Sequence, residues 1–308
     1  MSNDTGEEIL NNGTNILSRL IRRRKDKKTV QLSRSKGGTF AIFIFLALLS
    51  IFMAIPLVYT ILQSIKPIEE YYIYPPKFFV MNPTLDNYRA ILSAVDNLGV
   101  PFTRYLFNAI FTTVVGTGTY LLLSLVTAYP IAKTNIKIVR ILNAVLVYAM
   151  LFHNDTMSMV RFLVMSKLHI IDSYWAVILP NLASTMGIYL LCQFMRNSVP
   201  DSVLEAARID GAGEFRILFS IVAPSVKAGW LTALIFTFQS YWNAGGTGYV
   251  YSEKLKNITT VMSTVAAGGI TRAGTGMAIT LILMIPTVIV FLYNQRSIMN
   301  TMAHSGLK

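Results

Sequence analysis

The sequence predicts an all-α protein that crosses a lipid bilayer six times, with both termini on the cytoplasmic side. Three observations lead there. Of the 308 residues, 53% are hydrophobic and only 14% are charged, against about 25% charged in soluble domains; mean hydropathy is +0.51. Apolar runs of about 20 residues, enough to cross the hydrocarbon core, recur along the chain. The basic residues are segregated between those runs rather than scattered.

The first run, Phe40 to Leu62, follows nine Lys and Arg residues between Arg19 and Lys36. Such a cluster resists translocation and holds the N-terminus in the cytoplasm. Basic residues directly ahead of a membrane helix also touch anionic lipid, so the tail is read as a membrane neighbour and not as a nucleic-acid arm. The run is too long for a signal-peptide core and lacks a small-x-small cleavage pattern, which predicts a retained anchor. Pro56 predicts a kink that neighbouring helices accommodate.

The second span is expected over Tyr105 to Ile131 and the third over Ile141 to Val164. The fourth covers Ala176 to Met195, the fifth Ala228 to Trp242, and the sixth Met277 to Tyr293. With the N-terminus inside, eighteen of the 27 Lys and Arg fall on inner segments, as the positive-inside rule requires. Three regions result: a basic cytoplasmic tail over residues 1–39, a membrane domain over 40–295, and a cytoplasmic tail over 296–308. Two outer segments are long. Gln63 to Arg104 is rich in Pro and Tyr, and Ala244 to Gly276 is rich in Gly and Thr. Each reads either as a contact surface for an extracytoplasmic partner or as a plain solvated loop.

Between the fourth and fifth spans, in an inner segment of about residues 196–227, stands Glu205-Ala206-Ala207-Arg208-Ile209-Asp210-Gly211-Ala212. Ser198, with Asp201 three residues on, has capping-box spacing. Pro200 suits the first helical turn, and Gly211 suits a helix end that needs positive φ. Asp210 suits the cap of a second short helix through Phe219. The spacing predicts a helix–turn–helix on the inner face, a shape suited to passing motion from a soluble protein to membrane helices.

These residues, with Phe219, Ile221 and Pro224, resemble the EAA loop of permease subunits in bacterial ABC importers. Thr84-Leu85-Asp86-Asn87-Tyr88, Asp172-Ser173-Tyr174-Trp175-Ala176 with Leu179-Pro180, and Tyr241-Trp242-Asn243 resemble stretches of the carbohydrate-uptake branch, which includes the maltose and complex-polysaccharide permeases. The resemblance runs from about Phe40 to the C-terminus. One position departs from it: the second proline usual four residues after Pro224 is Ala228 here.

The resemblance implies a bacterial inner-membrane location and a coupling helix seated in a cleft of a separate ATPase. It implies a second, non-identical permease subunit, two ATP-binding-cassette subunits, an extracytoplasmic solute-binding protein, and an oligosaccharide as cargo. ATP and Mg would be used by the ATPase subunits, with no cofactor in this chain. Glu205 and Asp210 would engage basic groups of the ATPase cleft, Ala206 and Ala207 would permit close approach, Gly211 would set the turn, and Ala212 completes the motif.

Two polar clusters are candidates for the substrate pathway. His153-Asn154-Asp155 follows twelve residues from Ile141 to Phe152 that are apolar but for Asn143, about 18 Å at helical rise. An aspartate at that depth costs roughly 2.5–3.5 kcal/mol, which only a partner or a wet cavity offsets. The cluster is either a translocation site for sugar hydroxyls, or it marks a helix end near Phe152 with Asp155 among headgroups or paired with Arg161. The related permeases usually carry small and proline residues at this place. Gln239, Tyr241, Trp242 and Asn243 close the fifth span; they read as ring and amide contacts for a sugar or as an interfacial aromatic belt. Gly116 and Gly118, among Thr112, Thr113, Thr117 and Thr119, predict a small-residue face for close helix packing.

Enzyme signatures are missing from the sequence. There is no Gly-x-x-x-x-Gly-Lys-Ser/Thr phosphate loop, no Gly-x-Ser-x-Gly elbow and no His-Glu-x-x-His helix. Cys192 stands alone, which excludes internal disulfides and multi-cysteine metal sites. Two alternatives remain open. The cargo is a peptide, polyamine or phosphate, or the chain is an intramembrane enzyme centred on His153 and Asp155, whose i, i+2 spacing puts them on different helix faces.

Overall fold

The computed structural model describes residues 36–151, 157–244, 248–267 and 269–305. Every regular element among them is helical. The chain divides after Leu57 into two units. The division falls within α1 (Lys36–Ser64), whose residues from Phe40 to Leu57 are apolar but for Ser50 and exposed but for the half-buried Ala47. A helix that is apolar all round is suited to lipid. Pro56 lies inside α1, which runs on to Ser64.

The second unit comprises α2 (Asp86–Asp96), α3 (Phe102–Lys133), α4 (Lys137–Ala149), α5 (Ser158–Lys167), α6 (Trp175–Leu182) and α7 (Thr185–Ser198). It continues with α8 (Asp201–Ile209) and α9 (Glu214–Ile217), which is prolonged by a π turn over Leu218–Val222 and a last turn over Ala223–Ser225. α10 (Lys227–Asn243), α11 (Ile258–Ala266) and α12 (Ala273–Ser305) follow. α3 is the central rod, packed by α6, α7, α10 and α11. Asn108, Thr112, Thr113, Gly116 and Thr117 lie on its buried face. The small-residue stripe therefore works inside the chain: a Cβ at Gly116 would overlap the Tyr241 ring of α10, whereas one at Gly118 would meet open space.

By length and composition α1, α3 and α12 are each able to cross a bilayer. Among the described residues two bent pairs, α6 with α7 at 42° and α9 with α10 at 84°, raise the number to five at most. The six spans expected are therefore not all present as single rods. The expected third span, Ile141 to Val164, is represented by α4 and α5, of 13 and 10 residues, each too short to cross. Residues 152–156 lie outside the described residues, and His153, Asn154 and Asp155 lie with them. The fourth span breaks at Ala183–Ser184, just after Pro180, which has no N–H to give. The sixth runs past Tyr293 to Ser305.

The two long segments expected outside carry helices that composition did not suggest. α2 buries Ile91 and Val95, one turn apart, and α11 buries Ile258, Val261, Met262 and Val265 at helical spacing. These side chains join Tyr105, Ala109, Trp242, Ala278 and Ile279 in one apolar cluster at one end of the bundle. A second cluster gathers Ala128, Tyr129 and Ile131 of α3, Leu191 and Met195 of α7, and the inward faces of α8 and α9.

Candidate functional site

The motif Glu205 to Ala212 folds as the second half of α8 and the turn after it. The expected capping box does not form. Ser198 is still the last residue of α7, Pro200 precedes α8, and no side chain caps the helix. Asp201 in the first turn favours the positive end of the helix dipole, and its carboxylate accepts the Lys133 ammonium at 2.7 Å. The same Nζ donates to the Val199 carbonyl at 2.5 Å. The last residue of α3 thus pins the α7–α8 corner.

The far end of α8 closes as predicted. Gly211 has φ +78°. Its N–H donates to the Arg208 carbonyl and that of Ala212 to the Ala207 carbonyl, both at 3.0 Å, the paired bonds of a Schellman turn. Asp210 does not cap the second helix. That helix begins at Glu214, with Gly213 in the capping position, because the turn takes up Gly211 and Ala212 first.

The two short helices are clasped together. Arg208 Nε donates to Glu214 Oε1 at 2.8 Å, and Tyr129 Oη of α3 donates to Glu214 Oε2 at 2.6 Å. The bonds from Arg208 first, and then from Tyr129, hold the Glu214 carboxyl below the usual glutamate range. Leu204 and Ala207 point inward into the apolar cluster with Ile217, Leu218 and Val222. Ala207 is only 8% exposed, so of the two alanines only Ala206 lies on the open surface. Glu205, Ala206 and Asp210 are exposed, flanked by Ile209 at 87% and Phe215 at 73% exposure. α9 then meets α10 at 84°, with Ala228 buried just beyond the corner. The missing second proline is thus compatible with a sharp turn, set by burial of Val222, Val226 and Ala228.

The residues expected around the substrate separate in space. Tyr241 is fully buried, its hydroxyl donating to the Ile178 carbonyl at 2.9 Å. Trp242 is also buried, with Nε1 donating to the Leu283 carbonyl at 2.8 Å and its ring stacked on Phe238. Both rings hold helices together in this conformation and present no face to a ligand. Gln239 is half-buried and Asn243 exposed.

Asn243 lines a cleft of about 780 Å³ together with Ser158, Arg161, Asn181, Ser240 and Tyr249. A smaller hollow of about 350 Å³ shares Arg161, Asn181 and Ser240. Both volumes lie in the range of ligand pockets. Ser240 Oγ donates to Asn181 Oδ1 at 3.0 Å, which fixes the amide across the cleft. Asn181 and Ser240 escaped notice in the sequence, although each is a polar residue inside an apolar run. Among the described residues no three His, Cys, Asp or Glu side chains gather as a metal ion would require.

No family model matches the chain. Related proteins nonetheless cover most of it. It is 29% identical over 275 residues to the polygalacturonan/rhamnogalacturonan transport system permease protein YtcP of Bacillus subtilis (strain 168), spanning 83% of this chain and 92% of the relative. It is 26% identical over 226 residues to the lactose transport system permease protein LacG of Rhizobium radiobacter, spanning 71% and 79%. In three dimensions it matches a chain from the crystal structure of a bacterial ABC transporter involved in the import of the acidic polysaccharide alginate. The TM-score is 0.67 at 22% identity, over 85% of this chain and 98% of that one, which shows the shared fold. These relatives are named as transport permeases, and the chain is similar in sequence to permease proteins of sugar transport systems.

Proposed function

We propose that this chain is one membrane half of an ATP-driven importer of the bacterial inner membrane, with both termini in the cytoplasm. It works beside a second, non-identical permease. Two ATPase subunits hydrolyse MgATP against the α8–α9 loop, and an extracytoplasmic binding protein delivers the cargo. The observation that carries this reading is the loop itself. Glu205, Ala206 and Asp210 stand exposed beside Ile209 and Phe215, while Lys133, Tyr129 and the Arg208–Glu214 pair tie their backbone to α3. A push on the exposed side is transmitted to the central rod as a rigid-body motion.

The cargo is an oligosaccharide. Amide and hydroxyl groups of Asn181, Ser240 and Asn243 in the cleft match sugar hydroxyls in both donor and acceptor capacity. Arg161 is the one charged side chain among the described lining residues. One relative is named for polygalacturonan and the structural neighbour imports an acidic polysaccharide. An acidic oligosaccharide is therefore the favoured class.

Thiol labelling tests the reading. Cys192, the only cysteine in the sequence, is buried, so Asp210→Cys supplies the one reactive thiol. Labelling from the cytoplasmic side, and crosslinking there to an ATP-binding subunit, is the expected result. Labelling from the external side overturns the orientation and the function together.

A further inference from the structure

The turn between α5 and α6 holds two non-glycine residues at positive φ, His169 at 56° and Asp172 at 60°. Such conformations persist where the surroundings over-determine them, and the bonds around Asp172 show how. Its N–H donates to the Tyr249 carbonyl at 2.8 Å. Its Oδ1 accepts the N–H groups of Tyr251 and Ser252 at 2.9 and 2.8 Å, and its Oδ2 accepts the Ser252 hydroxyl. Four bonds from one residue therefore hold residues 249–252 against the turn.

The held segment is part of the cleft. Tyr249 lines it, buried among Met165, Ala176 and Val177 with its ring 6.2 Å from Phe162. Further along, the carbonyls of Lys254 and Lys256 are taken by Asn108 Nδ2 of α3 at 2.9 and 3.0 Å. The segment is thus anchored on both sides of Ser252, by the Asp172 carboxylate and by α3, whose Tyr105 hydroxyl also donates to the Glu253 carboxylate at 3.3 Å. Bonds to a charged acceptor are the stronger kind. The Ser252 hydroxyl and N–H keep the Asp172 carboxyl below the usual aspartate range, so it is ionised at neutral pH.

We infer that Asp172 is a positioning residue of the saccharide cleft: its carboxylate fixes the segment after α10 so that Tyr249 stands as a wall of the site. This rests on the cleft being the sugar path proposed above. Asp172 itself touches no cargo. Its loss loosens the wall without removing any group that lines the cleft, so it weakens cargo binding and leaves the ATP-driven cycle running.

The assembled importer in proteoliposomes tests this with two variants. Asp172→Gly removes the carboxylate while accepting positive φ, and Asp172→Asn keeps an acceptor oxygen and also tolerates that conformation. With an acidic oligosaccharide as cargo, Asp172→Gly is expected to raise KM about tenfold with kcat within about twofold, and Asp172→Asn to recover most of the loss. Amide exchange at Tyr251 and Ser252 is expected to quicken in Asp172→Gly, whatever the cargo. Unchanged KM in Asp172→Gly overturns the positioning role, as does an equal fall in kcat with no rescue by Asp172→Asn. Slow exchange at both amides overturns the clamp itself. If the unaltered importer moves no saccharide at all, the proposed function fails and the cleft assignment with it, even where the exchange result stands.

Discussion

Replacing Gly211 by valine tests whether the turn after α8 carries force. The φ of +78° lies in the left-handed region, and a Cβ there would meet nothing within 4 Å. Any penalty therefore comes from the backbone of residue 211 and not from crowding by neighbours. For a residue with a Cβ the left-handed conformation costs about 1–2 kcal/mol, and branching at Cβ stiffens it further. That strain opposes the two bonds closing the turn, from Gly211 to Arg208 and from Ala212 to Ala207. A penalty of that size shifts a local equilibrium by about 5- to 30-fold, but it leaves the apolar cluster under α8 intact. The expected outcome for Gly211→Val is normal assembly in the membrane with at least about a fivefold rise in ATP hydrolysed per solute imported. Gly211→Asn, which tolerates positive φ, should keep the ratio near that of the unaltered protein. The assay is paired ATPase and uptake measurement in proteoliposomes. Full coupling in Gly211→Val at normal expression would refute the argument, because a turn that tolerates such strain transmits no force.

Glu214 gives a pH dependence whose sign follows from its bonds. Its folded pKa is depressed by Arg208 and Tyr129, so the clasp adds stability above the unfolded carboxylate pKa and loses it as pH falls through the folded value. Protease resistance of the loop should fall on acidification below the usual glutamate range, and Glu214→Gln should flatten that profile. Gly116→Ala would drive a methyl into the Tyr241 ring, at about 1–3 kcal/mol for overpacking, while Gly118→Ala should leave the melting temperature in detergent unchanged. Asn108→Ala removes three hydrogen bonds, those to the Lys254 and Lys256 carbonyls and the one from the Tyr174 hydroxyl. At about 0.5–1.5 kcal/mol for each bond lost, it should lower that melting temperature at least as much as Gly116→Ala does.

The reach of sequence reasoning differs from element to element. α1, α3 and the core of α12 were legible because a run of apolar side chains long enough for a bilayer has few other uses. Gly211 was legible for an equally local reason, since a left-handed helix end favours glycine wherever it occurs. α2 and α11 were missed because Ile91 with Val95, and Ile258 with Val261, Met262 and Val265, are sparse apolar signals in segments coloured by Pro, Tyr, Gly and Thr. The caps at Ser198 and Asp210 were misplaced by a few residues, since capping spacing is common and only the path of the chain selects among the matches.

Tyr241 and Trp242 mark the boundary between the two kinds of knowledge. Their types and their place at a helix end are compatible with a sugar platform, an interfacial belt or internal packing, and only the position of Ile178 and Leu283 beside them decides for packing. The amino-acid order alone determined where the chain is apolar, where its backbone must turn, and which motif stands between the fourth and fifth expected spans, because these depend on neighbours within a turn or two. Tertiary structure decided which polar groups meet: Lys133 with Asp201, Tyr129 with Glu214, Asp172 with Ser252, and Asn181 with Ser240. These partners are separated by 59 to 85 positions in the chain. Hydrogen bonds act over about 3 Å, and no periodicity in the sequence encodes such an approach.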